Sequence, residues 1–114
     1  MLGKKILKLL EEEDIELHSK SKRDDGTYYR EIEFYSNEGE DVIELVEYDG
    51  TCKGFIKGFI QMVNYFDADE HAEMWIECRG KVEGVPNSIR ALIDDADWIK
   101  EKLDYVACNL NVMI

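Results

Sequence analysis

Several features that would point to export, to a membrane or to a disulfide-held fold are missing from this sequence of 114 residues. It has one proline, and its three cysteines, Cys52, Cys78 and Cys108, have spacings that fit neither a disulfide framework nor a CxxC zinc site. No run approaches the roughly 18 apolar residues that a membrane span needs, and the first lysines lead into acids instead of a signal peptide. We therefore expect reduced thiols in a cytoplasmic protein with no membrane partner.

Basic residues are also scarce. There are 14 lysines and arginines against 26 acids, so the net charge is −12. The imbalance is concentrated in residues 24–49, where ten carboxylates accompany a single base, Arg30. Such a field repels nucleic acids and membranes, so we expect no direct nucleic-acid binding and a basic partner instead.

The apolar content, 45% of the residues, is enough for one hydrophobic core. We expect a single domain over residues 1–114 with an α+β fold. Its predicted elements are a short N-terminal helix, a three-stranded antiparallel sheet and then three helices, or four if the last is divided, packed on one face. Turn signals at Asp24-Asp25-Gly26 and Asn37-Glu38-Gly39 separate the strands.

The predicted strands cover residues 15–19, 28–35 and 42–48. In the second of them, Tyr28, Ile32 and Phe34 share one face. The other face carries Tyr29, Glu31, Glu33 and Tyr35. The third strand is partly apolar on both faces, so the pattern leaves open which face meets the helices.

Cap signals mark the later helices. Thr51 precedes a 3.6-residue apolar stripe, which Gly54 and Gly58 interrupt either for close packing or through local tolerance. Asp67 and Glu70 have the form of a capping box, and we expect that helix to run to Gly80. Asn87 or Ser88 caps the last helical region. Asp94-Asp95 leaves open whether that region is one helix or two, because aspartate favours caps over helix interiors.

No constellation in the sequence has the pattern of an active site. His18 and His71 lack a neighbouring nucleophile motif, and the acidic run of residues 67–71 fails the spacing of a calcium loop. The segment 80–88 lacks the order of a phosphate-binding loop. We therefore expect a protein that is not an enzyme, with no catalytic residue, no metal ligand and no cofactor.

The remaining candidate is the acidic hairpin, residues 24–49. Side chains two apart on a strand stand about 7 Å apart, so Glu31 and Glu33 form a regular negative row that a basic groove could accept in place of phosphates. A solvated surface that protects against aggregation is the alternative. The predicted partner-binding residues are Glu31, Glu33, Tyr35, Glu38, Glu40, Asp41, Glu44, Glu47 and Asp49.

Three segments carry a resemblance to a known class of proteins: Asn37-Glu38-Gly39-Glu40-Asp41-Val42, Phe55-Ile56-Lys57-Gly58-Phe59 and Asp67-Ala68-Asp69-Glu70. In the order of its elements and in its charge, the chain over residues 4–75 resembles the small phage anti-CRISPR proteins that inhibit Cas9 by imitating DNA. The C-terminal third, with Gly84-Val85-Pro86-Asn87-Ser88-Ile89-Arg90 and Trp98-Ile99-Lys100, is similar to small proteins of gut bacteria and their mobile elements. Both resemblances imply a bacterial host cell.

The anti-CRISPR resemblance implies a DNA mimic that blocks the basic groove of a nuclease. Anti-restriction activity has the same physical basis. The alternative is a bacterial or mobile-element adaptor that binds a partner, or a second copy of itself, through its C-terminal helices. Trp98, Tyr105 and the final Val112-Met113-Ile114 would form its apolar contact.

Overall fold

The computed structural model describes residues 2–114 and begins with a short amphipathic helix, α1 (Lys4–Glu12). Ile6 and Leu10, four residues apart on one face, are its buried residues. They pack the helix against the long C-terminal helix of the chain. Lysines at its start and glutamates at its end oppose the helix dipole, which agrees with its short length.

The sheet has four antiparallel strands: β1 (Glu16–Leu17), β2 (Ser21–Lys22), β3 (Tyr28–Tyr35) and β4 (Asp41–Tyr48). β3 is central, with β1 and β2 along one edge and β4 along the other. The sequence predicts three strands. The fourth arises because the chain after β1 returns to β3 at Ser21–Lys22, where the backbone N–H of Arg23 donates to Thr27 O (2.8 Å) across the predicted turn.

The alternation along β4 answers which of its faces meets the helices. Val42, Val46 and Tyr48 are buried, together with Ile32 and Phe34 of β3. Ile43 and Leu45 of β4 point the other way. The larger aliphatic pair of β4 is therefore displayed on the solvent side of the sheet.

Three helices follow the sheet: α2 (Cys52–Tyr65), α3 (Ala68–Met74) and α4 (Ile89–Asn111). The side chains of Thr51, Asp67 and Ser88 accept backbone N–H groups at the three helix starts, which confirms the predicted caps. The prediction that the second of these helices runs to Gly80 is wrong. At Trp75 the bonding tightens to Ala72 O, three residues back, and a 3-10 turn (Ile76–Cys78) replaces the helix.

Gly58 lets α2 lie directly on the edge of β4. A Cβ atom built at this position would overlap the carbonyl oxygen of Glu47, so no larger residue fits without moving the backbone. Of the two explanations for the glycines in α2, close packing is the one that the structure supports.

Asp95 is the seventh residue of α4, at the place where the sequence leaves a break open, yet α4 is continuous over all of its 23 residues. Its side chain is only 4% exposed. It accepts hydrogen bonds from the hydroxyl of Ser36 (2.7 Å) and from the N–H of Glu38 (3.0 Å). Asp95 therefore caps the β3–β4 turn instead of ending its own helix, so the undivided helix is the alternative that the structure supports.

The main core lies between the inner face of the sheet and the helices α2 and α4. Its fully buried members include Phe34, Phe55, Phe59, Ile99 and Leu103. A smaller apolar cluster, Ala72, Val85, Leu92 and Ala96, joins α3 to α4. No helix within residues 2–114 combines the length and apolar character that crossing a membrane needs.

Replacing Asp95 with alanine should destabilise the fold by about 2–4 kcal/mol, because the Ser36 hydroxyl and the Glu38 N–H lose their acceptor in a buried site. The matched control is Asp94→Ala, one residue away and exposed, where we expect a change within about 0.5 kcal/mol. Urea unfolding followed by circular dichroism measures both values. Equal losses in the two variants would show that Asp95 is not a structural cap.

Candidate partner-binding surface

The register of β3 and β4 places eight side chains on the sheet face that points away from the helices. Directly opposite residues share a face. The four pairs are Tyr29 with Glu47, Glu31 with Leu45, Glu33 with Ile43, and Tyr35 with Asp41. We call these eight residues the outer face.

The outer face has an apolar centre. Tyr35 is 66% exposed, Ile43 48% and Leu45 36%. Glu31, Glu33 and Asp41 stand directly across from these three residues, so the apolar surface is bordered by carboxylates. Sequence periodicity predicted the acidic row of β3. The register of β3 and β4 was needed to show that Ile43 and Leu45 lie beside that row on the same face.

Glu40 is not part of this surface, contrary to the prediction that it extends the acidic row. It is 6% exposed, and one of its carboxylate oxygens lies 2.7 Å from Nε2 of His71. Its backbone N–H donates to the hydroxyl of Ser36. Glu40 therefore connects the hairpin to α3, because its position at the end of the turn directs its side chain towards the helices.

Two more of the predicted partner-binding residues, Asp49 and Glu44, lie at positions where the fold itself surrounds or bonds their carboxylates. Asp49 accepts from the hydroxyl and the N–H of Thr51 at the start of α2, and these bonds lower the pKa of the Asp49 carboxyl. Glu44 lies on the inner side of β4 and is half-buried. Burial raises the pKa of its carboxyl, the charge of Glu40 adds to this, and His71 opposes it. Glu38 is exposed in the turn.

Carboxylates crowd together on the outer face beside β1. A hydrogen bond with the carboxyl group of Asp41 raises the pKa of Glu33, while the hydrogen bond from His18 opposes that shift. Glu16 stands directly opposite Glu33 on the neighbouring strand. Proximity of like charges gives this corner of the sheet its negative field, which a cation from a partner would relieve.

One group within residues 2–114, Glu16, His18 and Glu33, brings ligand atoms close enough to hold a metal ion, all within 4.8 Å of one another. Nε2 of His18 already lies 2.8 Å from a carboxylate oxygen of Glu33. That contact joins the end of β1 to β3 and accounts for the arrangement. We therefore assign these residues a structural and electrostatic role.

The opposite end of the outer face is less negative. Arg23 lies over the ring of Tyr29, and its Nη1 is 2.6 Å from a carboxylate oxygen of Glu47. This pairing balances the charge of Glu47. The acids of this sheet face that pair with no lysine or arginine among residues 2–114 therefore lie in one group, which we call the acidic corner: Glu16, Glu31, Glu33 and Asp41.

A groove of about 550 Å³ runs between the edge of β4 and the helices α2 and α3. Its acidic lining residues are Glu44, Glu47, Asp67 and Glu70, and its apolar ones include Met62, Tyr65, Phe66 and Met74. His71 is the one imidazole there, and none of the lining residues is a serine, cysteine or lysine. The lining is suited to binding a cation with an apolar stem, and it lacks the paired nucleophile and base of covalent catalysis.

Comparison with protein-family models, with curated protein sequences and with solved structures found no match to the chain. The anti-CRISPR resemblance therefore stays a prediction.

Glu44→Gln should raise the melting temperature at pH 7. The folded-state pKa of Glu44 is raised above its ordinary value of 4.5, so the folded protein binds the proton of this carboxyl more tightly than the unfolded chain does. The protein therefore loses stability as the pH rises from 4.5 through the raised folded-state pKa. Neutral glutamine removes this cost. Thermal unfolding of both proteins at pH 7 and at pH values below 4.5 provides the measurement.

The difference in melting temperature should close at the acid end, where Glu44 is protonated in both states. Glu73→Gln, at an exposed position of α3, serves as the control and should show no such change. A Glu44→Gln protein that is less stable than the parent at pH 7 would contradict the assigned electrostatic cost.

Proposed function

We propose that this protein is a non-enzymatic acidic binding protein whose outer face occupies a basic nucleic-acid-binding site on another protein. The observation that carries the proposal is the combination of exposed Tyr35, Ile43 and Leu45 with the acidic corner beside them. Carboxylates alone would serve solubility. Ile43 and Leu45 at the centre of this charged sheet face, with Tyr35 at its end, are a cost in water unless a partner covers them.

The composition of the outer face agrees with a protein partner. Interfaces combine an aromatic or aliphatic centre with a polar rim, and tyrosine is enriched in them. The rim here carries one sign of charge, so the complementary surface has lysine or arginine around an apolar contact. Surfaces that hold nucleic acid are much more positively charged than ordinary protein–protein interfaces. The lysines and arginines that bind phosphates there also form charged hydrogen bonds with carboxylates.

The narrower form of the proposal is inhibition of a nuclease by DNA mimicry, of the anti-CRISPR or anti-restriction kind. The protein would occupy the basic groove and so keep DNA out of it by steric and electrostatic blockade, without turnover. Its partner is then a Cas or restriction nuclease inside a bacterial host cell. Binding of this kind weakens as salt screens the charges.

Reversing two charges of the acidic corner tests the proposal. Glu31→Lys with Asp41→Lys should weaken binding about 10- to 100-fold at low salt, because two attractive contacts become repulsive. Glu40 is left unchanged because it is buried, and a lysine there would unfold the site. Inhibition of DNA cleavage by Cas9 with its guide RNA and by restriction nucleases gives the functional measurement, and titration calorimetry at several salt concentrations gives the affinity.

The matched control carries the same change in net charge on α4, as Asp97→Lys with Glu101→Lys, both at exposed positions. We expect this control to inhibit as well as the parent protein. Equal losses in the two double variants would mean that only total charge matters, and full inhibition by the acidic-corner variant would overturn the proposal.

A second candidate is favoured by a different observation, the apolar C-terminus. Val112 is 80% exposed, and Met113, Ile114 and Tyr105 are exposed as well. We propose as the alternative function an adaptor or homo-oligomer that docks through this end of α4. Ala107 and Leu110 face the core, so the exposed residues are available without unfolding the helix.

Removing residues 111–114 tests this alternative. If the C-terminus docks a second copy, the full chain should sediment as a dimer and the chain ending at Leu110 as a monomer, with the same circular dichroism spectrum. Analytical ultracentrifugation over a range of protein concentrations makes the comparison. If both the full chain and the shortened chain are monomers, self-association through this end is excluded.

A further inference from the structure

The backbone of β4 has one paired edge and one open edge, and the register identifies which residues face each. Ser36 N donates to Glu40 O, so this opposed pair is hydrogen-bonded. Such pairs alternate along an antiparallel ladder. The even residues from Val42 to Tyr48 therefore bond to β3. The odd residues, Asp41, Ile43, Leu45 and Glu47, point their N–H and C=O groups away from the sheet.

Helix α2 approaches this open edge at Glu47. Gly58 lies against the carbonyl oxygen of Glu47, which agrees with an outward-pointing group at that position. No other strand of residues 2–114 pairs with this edge. The backbone groups of Ile43 and Leu45 are thus presented as they would be to an added strand.

The acidic groove lies beside the same edge. A strand added antiparallel to Ile43 and Leu45 would place the residue opposite Glu44 on the inner side of the sheet, in the groove. There it would meet the carboxylate of Glu44, with Glu70 and the ring of Tyr65 in the same lining. The neighbouring residues of the added strand would stand beside Ile43 and Leu45 on the other side.

We propose that the open edge of β4 binds an extended segment of a basic partner by strand addition, with an apolar-cation-apolar triplet centred opposite Glu44. The two apolar residues pair with Ile43 and Leu45 through backbone hydrogen bonds. The lysine or arginine between them enters the groove and forms an ion pair with the half-buried carboxylate of Glu44. This inference goes beyond the proposed function, since it concerns the edge of β4 and a peptide segment instead of the outer face.

Charge argues for this occupant over a second copy of the chain. Two β4 edges paired antiparallel around Glu44 would bring like carboxylates together, on molecules that each carry a net charge of −12. A cation opposite Glu44 changes this repulsion into attraction.

The test uses a fluorescent capped peptide, Gly-Ser-Val-Arg-Val-Ser-Gly, and hydrogen exchange of the labelled protein read by NMR. At peptide concentrations up to about 1 mM, exchange of the Ile43 and Leu45 amides should slow at least tenfold, because both become hydrogen-bonded. Glu44→Gln should reduce affinity by about tenfold or more through loss of the charged partner, whereas Glu73→Gln should leave it unchanged.

Two control peptides separate strand addition from charge attraction. Glutamate in place of arginine should abolish binding, and N-methylation of both valines should abolish it while leaving the charge intact. Equal binding by the N-methylated peptide, or unchanged exchange at Ile43 and Leu45, would overturn the inference. If exchange of the Ile43 and Leu45 amides slows as the protein concentration rises without peptide, the edge binds a second copy of the chain and the inference is overturned. Peptide shifts confined to Tyr35 and Glu31 would overturn it while supporting the outer-face proposal.

Discussion

The buried carboxylate of Asp95 fixes the position of the acidic hairpin. It accepts hydrogen bonds from the Ser36 hydroxyl and the Glu38 N–H, so the N-terminal part of α4 holds the β3–β4 turn. The Ser36 hydroxyl in turn accepts from Glu40 N, and the side chain of Glu40 reaches His71 in α3. A slip of one residue between β3 and β4 would turn every side chain of β4 to the opposite face, so this chain of contacts also decides what the outer face displays.

That constraint divides the acids of the hairpin between two roles. Glu40 and Asp49 are engaged in contacts within the fold, and Glu44 stands half-buried at the groove. Glu31, Glu33 and Asp41 are left on the outer face with Tyr35, Ile43 and Leu45. The raised pKa values of Glu33 and Glu44 mark where the fold keeps electrostatic costs that a cation would relieve. Glu33 lies on the outer face, on β3, and Glu44 lies in the groove beside the open edge of β4.

Local signals predicted much of the fold. Alternation in β3 was sufficient to predict that strand, and the caps at Thr51, Asp67 and Ser88 were sufficient to predict three helix starts. Each of these signals depends on residues that are near in sequence. Contacts between distant residues were not predictable in this way. Asp95 looked like a helix break because its partners lie 57 and 59 residues away, and Glu40 looked exposed because His71 is 31 residues distant. Of the binding surface, the acidic row was predictable, whereas its apolar centre required the pairing of β4.

The central claim is that these acids are arranged for a partner and not only for solvation. The most direct test is an NMR titration of the labelled protein with a basic nucleic-acid-binding protein, such as a DNA-free Cas9, at two salt concentrations. If the outer face binds this partner, signals of Glu31, Tyr35, Asp41 and Ile43 should change first and recover at high salt. Changes spread evenly over exposed acids of α4, such as Asp97 and Glu101, would contradict it.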